Sequence, residues 1–278
     1  MRFKIGLYLI HNNDAKRSKL RDLIFKFGKA LHVIVNECYE QPKYIAPSPI
    51  KRRLKNIINE ASRVYYSIFA YEIKDKRKSV LALAARRIIR GVINCTFEAR
   101  GDSMLRHKRL TIESYVTNKH ITAWKRSLMS RDKYLICFED DSVILSNSSE
   151  MFLEALKLID EKYQQCQLIY ADLAGGFPLD VVLDSKDQTK ERYMQLEYHL
   201  SRKLKTNTAC CYLMSIELVS SFLNILRKDQ HLSSLPIDHL INYLGMSSSE
   251  FPICIHCVPT VFNHGSFTGQ VSSWQEST

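Results

Sequence analysis

Short apolar runs alternate with longer amphipathic segments along the chain. Residues 3–10 form an apolar run that predicts a first strand, residues 16–31 place apolar side chains at helical spacing, and residues 32–36 are apolar again. The same order continues with predicted strands and helices at 134–145, 149–162, 168–173, 207–215, 216–228 and 251–258. Because strand, helix, strand order is typical of parallel sheets, we predict an α/β fold. A mixed, mostly parallel sheet flanked by helices is expected within a single domain, residues 1–278.

Two segments depart from this order. Residues 50–94 are helical in pattern, with an apolar stripe that includes Leu54, Ile58 and Tyr65, and we predict a basic helical insertion within the domain there. Residues 184–206 are polar and charged, a composition that suits a mobile lid or an acceptor loop.

The insertion is strongly basic. Residues 51–90 hold 12 Lys and Arg against 3 Asp and Glu, in a chain of net charge +11. A basic surface attracts polyanions such as anionic lipid, a charged glycan or nucleic acid, although no recognisable nucleic-acid module is present. Two interpretations stay open: surface helices of an ordinary α/β domain, or a surface that docks on anionic lipid headgroups through Lys51, Arg52, Arg53, Lys55, Arg86, Arg87 and Arg90.

The N-terminal apolar run has charges in alternating positions and is followed by polar residues, so it predicts a strand and neither a signal peptide nor a membrane span. The eight cysteines lie mostly inside apolar runs, which predicts reduced core thiols. Cys254 and Cys257 are spaced like half a zinc site, but alternation along residues 251–258 favours a strand. We therefore expect a cytoplasmic protein, with peripheral contact at the inner face of the membrane through its basic insertion.

Three consecutive acids carry the clearest chemical signal. Glu139, Asp140 and Asp141 follow the apolar residues 134–138, and a second apolar run occupies residues 143–145. Carboxylates this close repel one another, and a divalent cation is their usual counter-charge. The carboxyl edge of an open α/β sheet is also where ligand crevices lie. We predict a site for a metal ion and a diphosphate, the alternative being a solvated acidic turn.

Several segments, in order, resemble glycosyltransferase family 25, which includes bacterial lipooligosaccharide galactosyltransferases and collagen-type galactosyltransferases. The matching segments are residues 10–21, 120–124, 134–144, 208–215, 236–238, 258–266 and 272–273. The resemblance covers residues 110–275 best, and the first 40 residues less closely. The chain departs from the family at Cys210 and Cys211, where the family usually has small residues.

The resemblance implies a GT-A fold, which is Rossmann-like, and an inverting transfer from a nucleotide-sugar with the help of Mn²⁺ or Mg²⁺. A UDP-sugar is the favoured donor, galactose the favoured sugar, and a lipooligosaccharide, capsule or other surface glycan the expected acceptor. Two other functions stay open. One is a different metal-dependent nucleotide or phosphate enzyme, and the other is a non-catalytic basic protein that binds polyanions.

The same resemblance assigns roles to particular side chains. Asp141 is the expected metal ligand, Glu139 supports the metal or the ribose, and His264 resembles a further ligand contributed near the C-terminus. Asp238, after Pro236, resembles the base that takes the acceptor proton, and a helix cap is the alternative. The remaining candidates for contact with donor or acceptor are Asp140, Asn12, His120, Trp124 and Asp172.

Overall fold

A computed structural model of the chain describes residues 4–40, 47–71, 85, 88, 89, 91–93, 95, 100–163, 165–183, 188–201 and 203–269. The strands are β1 (Ile5–Ile10), β2 (Val35–Cys38), β3 (Tyr134–Glu139), β4 (Ser142–Val143), β5 (Ile169–Asp172), β6 (Gln188–Tyr193), β7 (Leu196–Ser201), β8 (Cys211–Ser215), β9 (Ile253–Val258) and β10 (Asn263–His264). The helices are α1 (Ser18–Ala30), α2 (Pro49–Tyr71), α3 (Arg100–Ser130), α4 (Ser148–Lys162), α5 (Leu179–Val182), α6 (Ile216–Lys228) and α7 (Ile237–Ser247). Short 3₁₀ turns occupy Ala15–Arg17 and Gln230–Ser234.

Eight strands form one sheet in the order β2-β1-β3-β8-β5-β9-β7-β6. Six of them run in the same direction, while β8 and β7 run the opposite way. The predicted α/β class with a mixed, mostly parallel sheet is therefore confirmed. A separate two-stranded ladder joins β4 to β10, with His264 opposite Ser142.

Helices cover both faces of the sheet, and the strand sequences explain why. Along β3, Ile136 and Phe138 belong to the core shared with α1 and α4, while Leu135 and Cys137 belong to the core shared with α3, α6 and α7. Successive side chains of a strand point to opposite faces, so a continuous apolar run can fill two cores at once. The carboxyl end of β3 is thus fixed from both sides.

The expectation of a lid or loop at residues 184–206 is wrong for most of that segment. Strands β6 and β7 form a hairpin, and β7 pairs with β9 at one end of the main sheet. Leu196, Tyr198 and Leu200 place apolar side chains at every second position of β7, and Leu196 and Tyr198 are buried in the core. Apolar side chains at every second position indicate a strand, but the many charged residues of this segment hid that pattern in the sequence. Residues 184–187 and 202 lie outside the described ranges.

The basic side chains predicted on α2 do not all lie at the surface. Lys51, Arg53 and Lys55 are exposed on α2, but Arg52 is buried, with its Nε atom 3.5 Å from the Ser103 hydroxyl. Arg52 points inward because it lies on the side of α2 that packs on α3. The predicted contributions of Arg86, Arg87 and Arg90 lie outside the described residues.

The pair Cys254 and Cys257 lies within β9, as the alternation predicts. Among the helices in the described ranges, none is both long and apolar enough to cross a membrane.

Candidate functional site

A cavity of about 560 Å³ opens where β1 and β3 end and β8 begins. Six of the predicted residues line it: Asn12, Glu139, Asp140, Asp141, Asp238 and His264. Asn12 and the three acids meet because the carboxyl ends of β1 and β3 share one edge of the sheet. Helix α7 brings Asp238 to the same cavity, and the β4/β10 ladder brings His264. Surface clefts with a few convergent polar groups are the usual form of a ligand site.

Asp141 lies at the centre of the acidic wall. Its Oδ2 accepts a hydrogen bond from the Ser266 hydroxyl at 2.7 Å and lies 3.7 Å from Nδ1 of His264. Its Oδ1 lies 3.4 Å from the Sγ of Cys210. The backbone N–H of Gly265 donates to the Asp141 carbonyl at 2.8 Å, so the ladder between β4 and β10 holds His264 beside Asp141.

These side chains fit a metal ion. One ligand atom each from Asp141, Cys210 and His264 lie within 4.8 Å of one another, and Asp141 and Cys210 are buried. The Nδ1 atom of His264 is buried and, among the described residues, has no hydrogen-bond donor or acceptor within reach. A buried nitrogen without a partner is costly unless a ligand completes it. The cluster is therefore suited to bind a cation.

Asp140 is neutralised by an arginine. The Arg17 guanidinium donates to its Oδ1 at 2.5 Å, and Arg21 lies 4.0 Å from its Oδ2. Arg17 also lines the cavity, so it adds a positive charge at the edge of the acidic wall. The N–H of Asp140 donates to the Ile10 carbonyl at 3.1 Å, which joins the end of β3 to the end of β1.

A hydrogen-bonded chain supports Glu139 from behind the cavity. Trp124 Nε1 donates to the Tyr212 hydroxyl at 3.0 Å, that hydroxyl is 2.8 Å from Nδ1 of His120, and Nε2 of His120 is 3.0 Å from Oε1 of Glu139. Burial lowers the pKa of His120 to about 3, so the imidazole is neutral. Burial, together with the charges of Asp141 and Asp140, raises the pKa of Glu139 well above its ordinary value.

Asp238 occupies the first turn of α7, directly after Ile237, and faces the cavity from another element. Its carboxylate accepts a hydrogen bond from the N–H of Ala209, but its Oδ1 is buried without a partner among the described residues. Burial and the charge of Glu139 raise its pKa to about 7. A carboxylate that exchanges its proton near neutral pH can act as a general base.

Asn12 is held in place by a buried lysine. The Lys119 ammonium donates to the His11 carbonyl at 2.7 Å and to the side-chain oxygen of Asn12. Burial lowers the pKa of Lys119 to about 8. Lys119 was not among the predicted site residues, because its neighbours come from the end of β1, more than 100 positions earlier in the chain.

Three predicted residues do not line the cavity. His120 and Trp124 are fully buried in the chain of hydrogen bonds behind Glu139. Asp172 is buried at the end of β5, where its Oδ2 accepts from the Asn207 N–H at 2.8 Å and from the Tyr170 hydroxyl at 3.3 Å. These side chains are placed to support the site and not to touch a ligand in the cavity.

Sequence reasoning also missed two aromatic side chains at the cavity. Phe177 and Phe267 pack edge to face, with ring centroids 4.7 Å apart, and each is about half exposed. Phe267 also contacts the ring of His264 at 4.8 Å. A Cβ atom at Gly176 would lie 2.8 Å from the Phe267 ring, so glycine permits this close approach. The visible sequence signal was the pair Gly175 and Gly176 beside Phe177.

Comparison of the chain with protein-family models finds no match, and comparison with curated proteins finds none either.

Proposed function

We propose that the chain is an inverting, metal-dependent glycosyltransferase that moves a sugar from a nucleotide-sugar to a glycan acceptor. A UDP-sugar is the proposed donor, with galactose favoured, and a lipooligosaccharide, capsule or other surface glycan is the proposed acceptor. The fold proposed for it is the GT-A variant of the α/β class. One observation carries the proposal: acids from the end of β3, a histidine from β10 and a carboxylate from α7 line the same cavity.

The charge pattern of the cavity supports a diphosphate ligand. Asp141, Cys210 and His264 are the residues that would hold the metal. A bound metal supplies positive charge that stabilises the diphosphate leaving group as the glycosidic bond breaks. Arg17 supplies a second positive charge from the chain itself. The guanidinium has five N–H donors, so Arg17 can contact a phosphate while it keeps its ion pair with Asp140.

Asp238 supports the transfer step. Inversion requires a base that removes the proton of the acceptor hydroxyl, and Asp238 has an unpaired buried oxygen and a pKa of about 7. Phe177 and Phe267 offer apolar ring surface at the same cavity, which suits the face of a sugar or a base. The neutral His120 orients Glu139, which can then accept hydrogen bonds from a ribose hydroxyl.

The proposal is tested by product analysis. Purified protein is incubated with UDP-galactose, UDP-glucose or UDP-N-acetylglucosamine, with and without Mn²⁺, in the presence of lipooligosaccharide or simple glycosides. We expect UDP release and a new glycosidic bond of inverted anomeric configuration, only with metal. Asp141→Ala should lower kcat/KM by about 100-fold or more, whereas Asp22→Ala, at an exposed position on α1, should not.

Two outcomes would contradict the proposal. Release of monophosphate in place of UDP would indicate a phosphohydrolase or nucleotidyltransferase, the second candidate raised by the acidic cluster. Undiminished turnover in Asp141→Ala would separate the activity from the proposed metal site.

A further inference from the structure

The candidate metal cluster contains a thiol, which changes the metals it can prefer. Cys210 is buried at the start of β8, and of the described cysteines it is the one that lines the cavity. Its Sγ lies 3.4 Å from Oδ1 of Asp141, and Nδ1 of His264 lies 3.7 Å from Oδ2 of Asp141. Ligand atoms bound tetrahedrally at about 2.0–2.3 Å from a metal lie roughly 3.3–3.8 Å apart. Each of these two separations, one to either oxygen of Asp141, falls in that range, and one ligand atom from each of the three residues lies within 4.8 Å of the others.

Hydrogen bonds to its backbone hold Cys210 in place, and its Sγ lies 3.3 Å from the Ser142 hydroxyl oxygen. Its carbonyl accepts hydrogen bonds from the Glu139 N–H at 2.7 Å and from the Ser142 hydroxyl at 2.8 Å. Ser266 orients Asp141 in the same way, by donating to its Oδ2. Ligands held by such neighbours need little rearrangement when a metal binds. The cluster supplies three protein ligands beside an open cavity, an arrangement typical of catalytic and not of structural zinc sites.

We infer that Cys210 is a metal ligand together with Asp141 and His264, and that the site prefers Zn²⁺ or Co²⁺ to Mn²⁺ or Mg²⁺. Thiolate and imidazole ligands favour borderline and soft cations, while carboxylate and water ligands alone favour Mg²⁺ and Mn²⁺. The thiol proton is released to solvent as the sulfur–metal bond forms. The metal's role in catalysis rests on the proposed function, but its binding does not.

Cobalt spectroscopy tests this assignment directly. Metal-free protein is titrated with Co²⁺, and a near-ultraviolet sulfur-to-cobalt charge-transfer band is expected, which Zn²⁺ should remove. Cys210→Ser should abolish the band and weaken Zn²⁺ binding by about 100-fold, while weakening Mn²⁺ binding by less than about 10-fold. Cys166→Ser, at a partly exposed position outside the cavity, should keep the band.

The assignment is overturned if Co²⁺ fails to bind, if it binds without the band, or if the band survives in Cys210→Ser. These results are distinguishable from failure of the proposed function. UDP-sugar transfer with Mn²⁺, in a protein whose Co²⁺ complex has no thiolate band, would refute the thiolate ligand and keep the transferase. A clear thiolate band in a protein that transfers no sugar would support Cys210 as a metal ligand and contradict the proposed transferase activity.

A second surface carries an independent inference, because helix α2 faces its polar side inward. Contacts between α2 and α3 join Arg52 to Ser103, Asn56 to His107, Glu60 to Arg106 and Arg63 to Glu113. The apolar side faces out, and its side chains are exposed by 82% at Ile50, 56% at Leu54, 49% at Ile58 and 54% at Tyr65. A soluble surface helix normally has the reverse arrangement. Within the part of the chain that the structure describes, this apolar face stays exposed, and contact with an apolar partner would bury it.

Cations flank this face on both sides. At roughly 100° per residue, Ile50, Leu54, Ile58 and Tyr65 fall within about 80° of the helix circumference. Lys51 and Lys55 then lie along one border of the stripe and Arg53 along the other. Long basic side chains can extend to phosphate groups while the apolar stripe enters the acyl boundary.

We propose that this face of α2 docks on an anionic lipid surface. Charge complementarity identifies the occupant, since a stripe of isoleucine and leucine with Lys51 and Lys55 along one border and Arg53 along the other fits lipid phosphates above acyl chains. Docking would bring the enzyme to acceptors carried by a membrane, if the proposed function holds.

Vesicle sedimentation tests the docking surface. Phosphatidylcholine vesicles with about 30% phosphatidylglycerol should bind the protein, salt should weaken that binding, and pure phosphatidylcholine should bind it much less. The triple variant Ile50→Ser, Leu54→Ser, Ile58→Ser should lose at least about 10-fold in binding. The control is Ile34→Ser: the Ile34 side chain is 82% exposed but lies directly before β2, away from α2, and this variant should bind vesicles as well as the wild type.

Charge is tested separately with Lys51→Glu combined with Lys55→Glu, which should weaken binding more than the matched pair Lys26→Glu and Lys29→Glu on α1. Equal binding to neutral and anionic vesicles would overturn the proposal. So would salt-sensitive binding to RNA without any binding to vesicles.

Discussion

Asp238 is a buried carboxylate whose burial makes the stability of the fold depend on pH. Its pKa of about 7 lies far above the ordinary value of 3.8, mainly because burial disfavours the charged form. Glu139, whose pKa is also raised, adds repulsion. A folded pKa above the unfolded one means that the neutral form stabilises the fold. That stability is fully present below about pH 4 and is lost as the pH rises to about 7.

We predict that Asp238→Asn is more stable than the wild type, and more so at pH 8 than at pH 5. Asparagine resembles the neutral carboxyl group, so the variant avoids the cost of the raised pKa, which is on the order of 4 kcal/mol at pH 8 and about 2 kcal/mol at pH 5. Melting temperatures of both proteins at the two pH values measure the difference. An equal gain at both pH values, or a loss at pH 8, would show that Asp238 is not a buried carboxylate of raised pKa.

At the scale of elements, the position of His264 depends on the two-stranded ladder of β4 and β10 and on the packing of Phe262 beside it. Residue Phe262 is fully buried against Phe27, Phe138 and Phe152, with ring centroids 5.0–6.1 Å apart. It immediately precedes β10, so its packing fixes the strand that carries His264 beside Asp141.

We predict that Phe262→Ala lowers the free energy of unfolding by about 3–5 kcal/mol and weakens metal binding as well. The lost aromatic contacts leave a cavity beneath β10, which allows His264 to move away from Asp141. Urea unfolding and a metal titration measure the two effects. Phe251→Ala, at a side chain with 60% exposure, is the control and should change stability by less than about 0.5 kcal/mol. Normal metal affinity in a destabilised Phe262→Ala protein would show that the packing of Phe262 does not determine the position of His264.

Local periodicity predicted most elements because it depends only on neighbours in sequence. The predicted helices at 149–162 and 216–228 correspond closely to α4 and α6. Where a segment is both charged and part of a sheet, as in β7, composition misled the prediction. The burial of Arg52 could not be foreseen either, because its partner Ser103 lies on another helix.

The same distinction applies to the site. The acids at the end of β3 were predictable, since a strand that ends in carboxylates is a local pattern. The involvement of Cys210 and Lys119 was not, because each acquires its role from contacts across more than 60 positions of sequence. The approach of His264 to Asp141 was anticipated only through a family resemblance, and the ladder of β4 with β10 is its physical basis.

At the scale of the whole molecule, charge is divided between two halves with different surroundings. Residues 1–130 hold 28 Lys and Arg against 10 Asp and Glu, while residues 131–278 hold 12 against 19. The basic half contributes the exposed cations of α2 and the Arg17 guanidinium, and the acidic half contributes the carboxylates of the cavity. This division is what a protein needs if one surface meets anionic lipid while its cavity binds a cation and a diphosphate.

The central claim is that the cavity binds a nucleotide diphosphate together with a metal ion. Its most direct test is the melting temperature of the protein with UDP, GDP or CMP, each with and without Mn²⁺ or Zn²⁺. At a nucleotide concentration about 100 times Kd, binding adds about 2.7 kcal/mol, which raises the melting temperature by roughly 5 °C. We predict such a rise with UDP and metal together, smaller effects with either alone, and none in Asp141→Ala. No rise with any nucleotide and metal, or an equal rise in Asp141→Ala, would contradict the account.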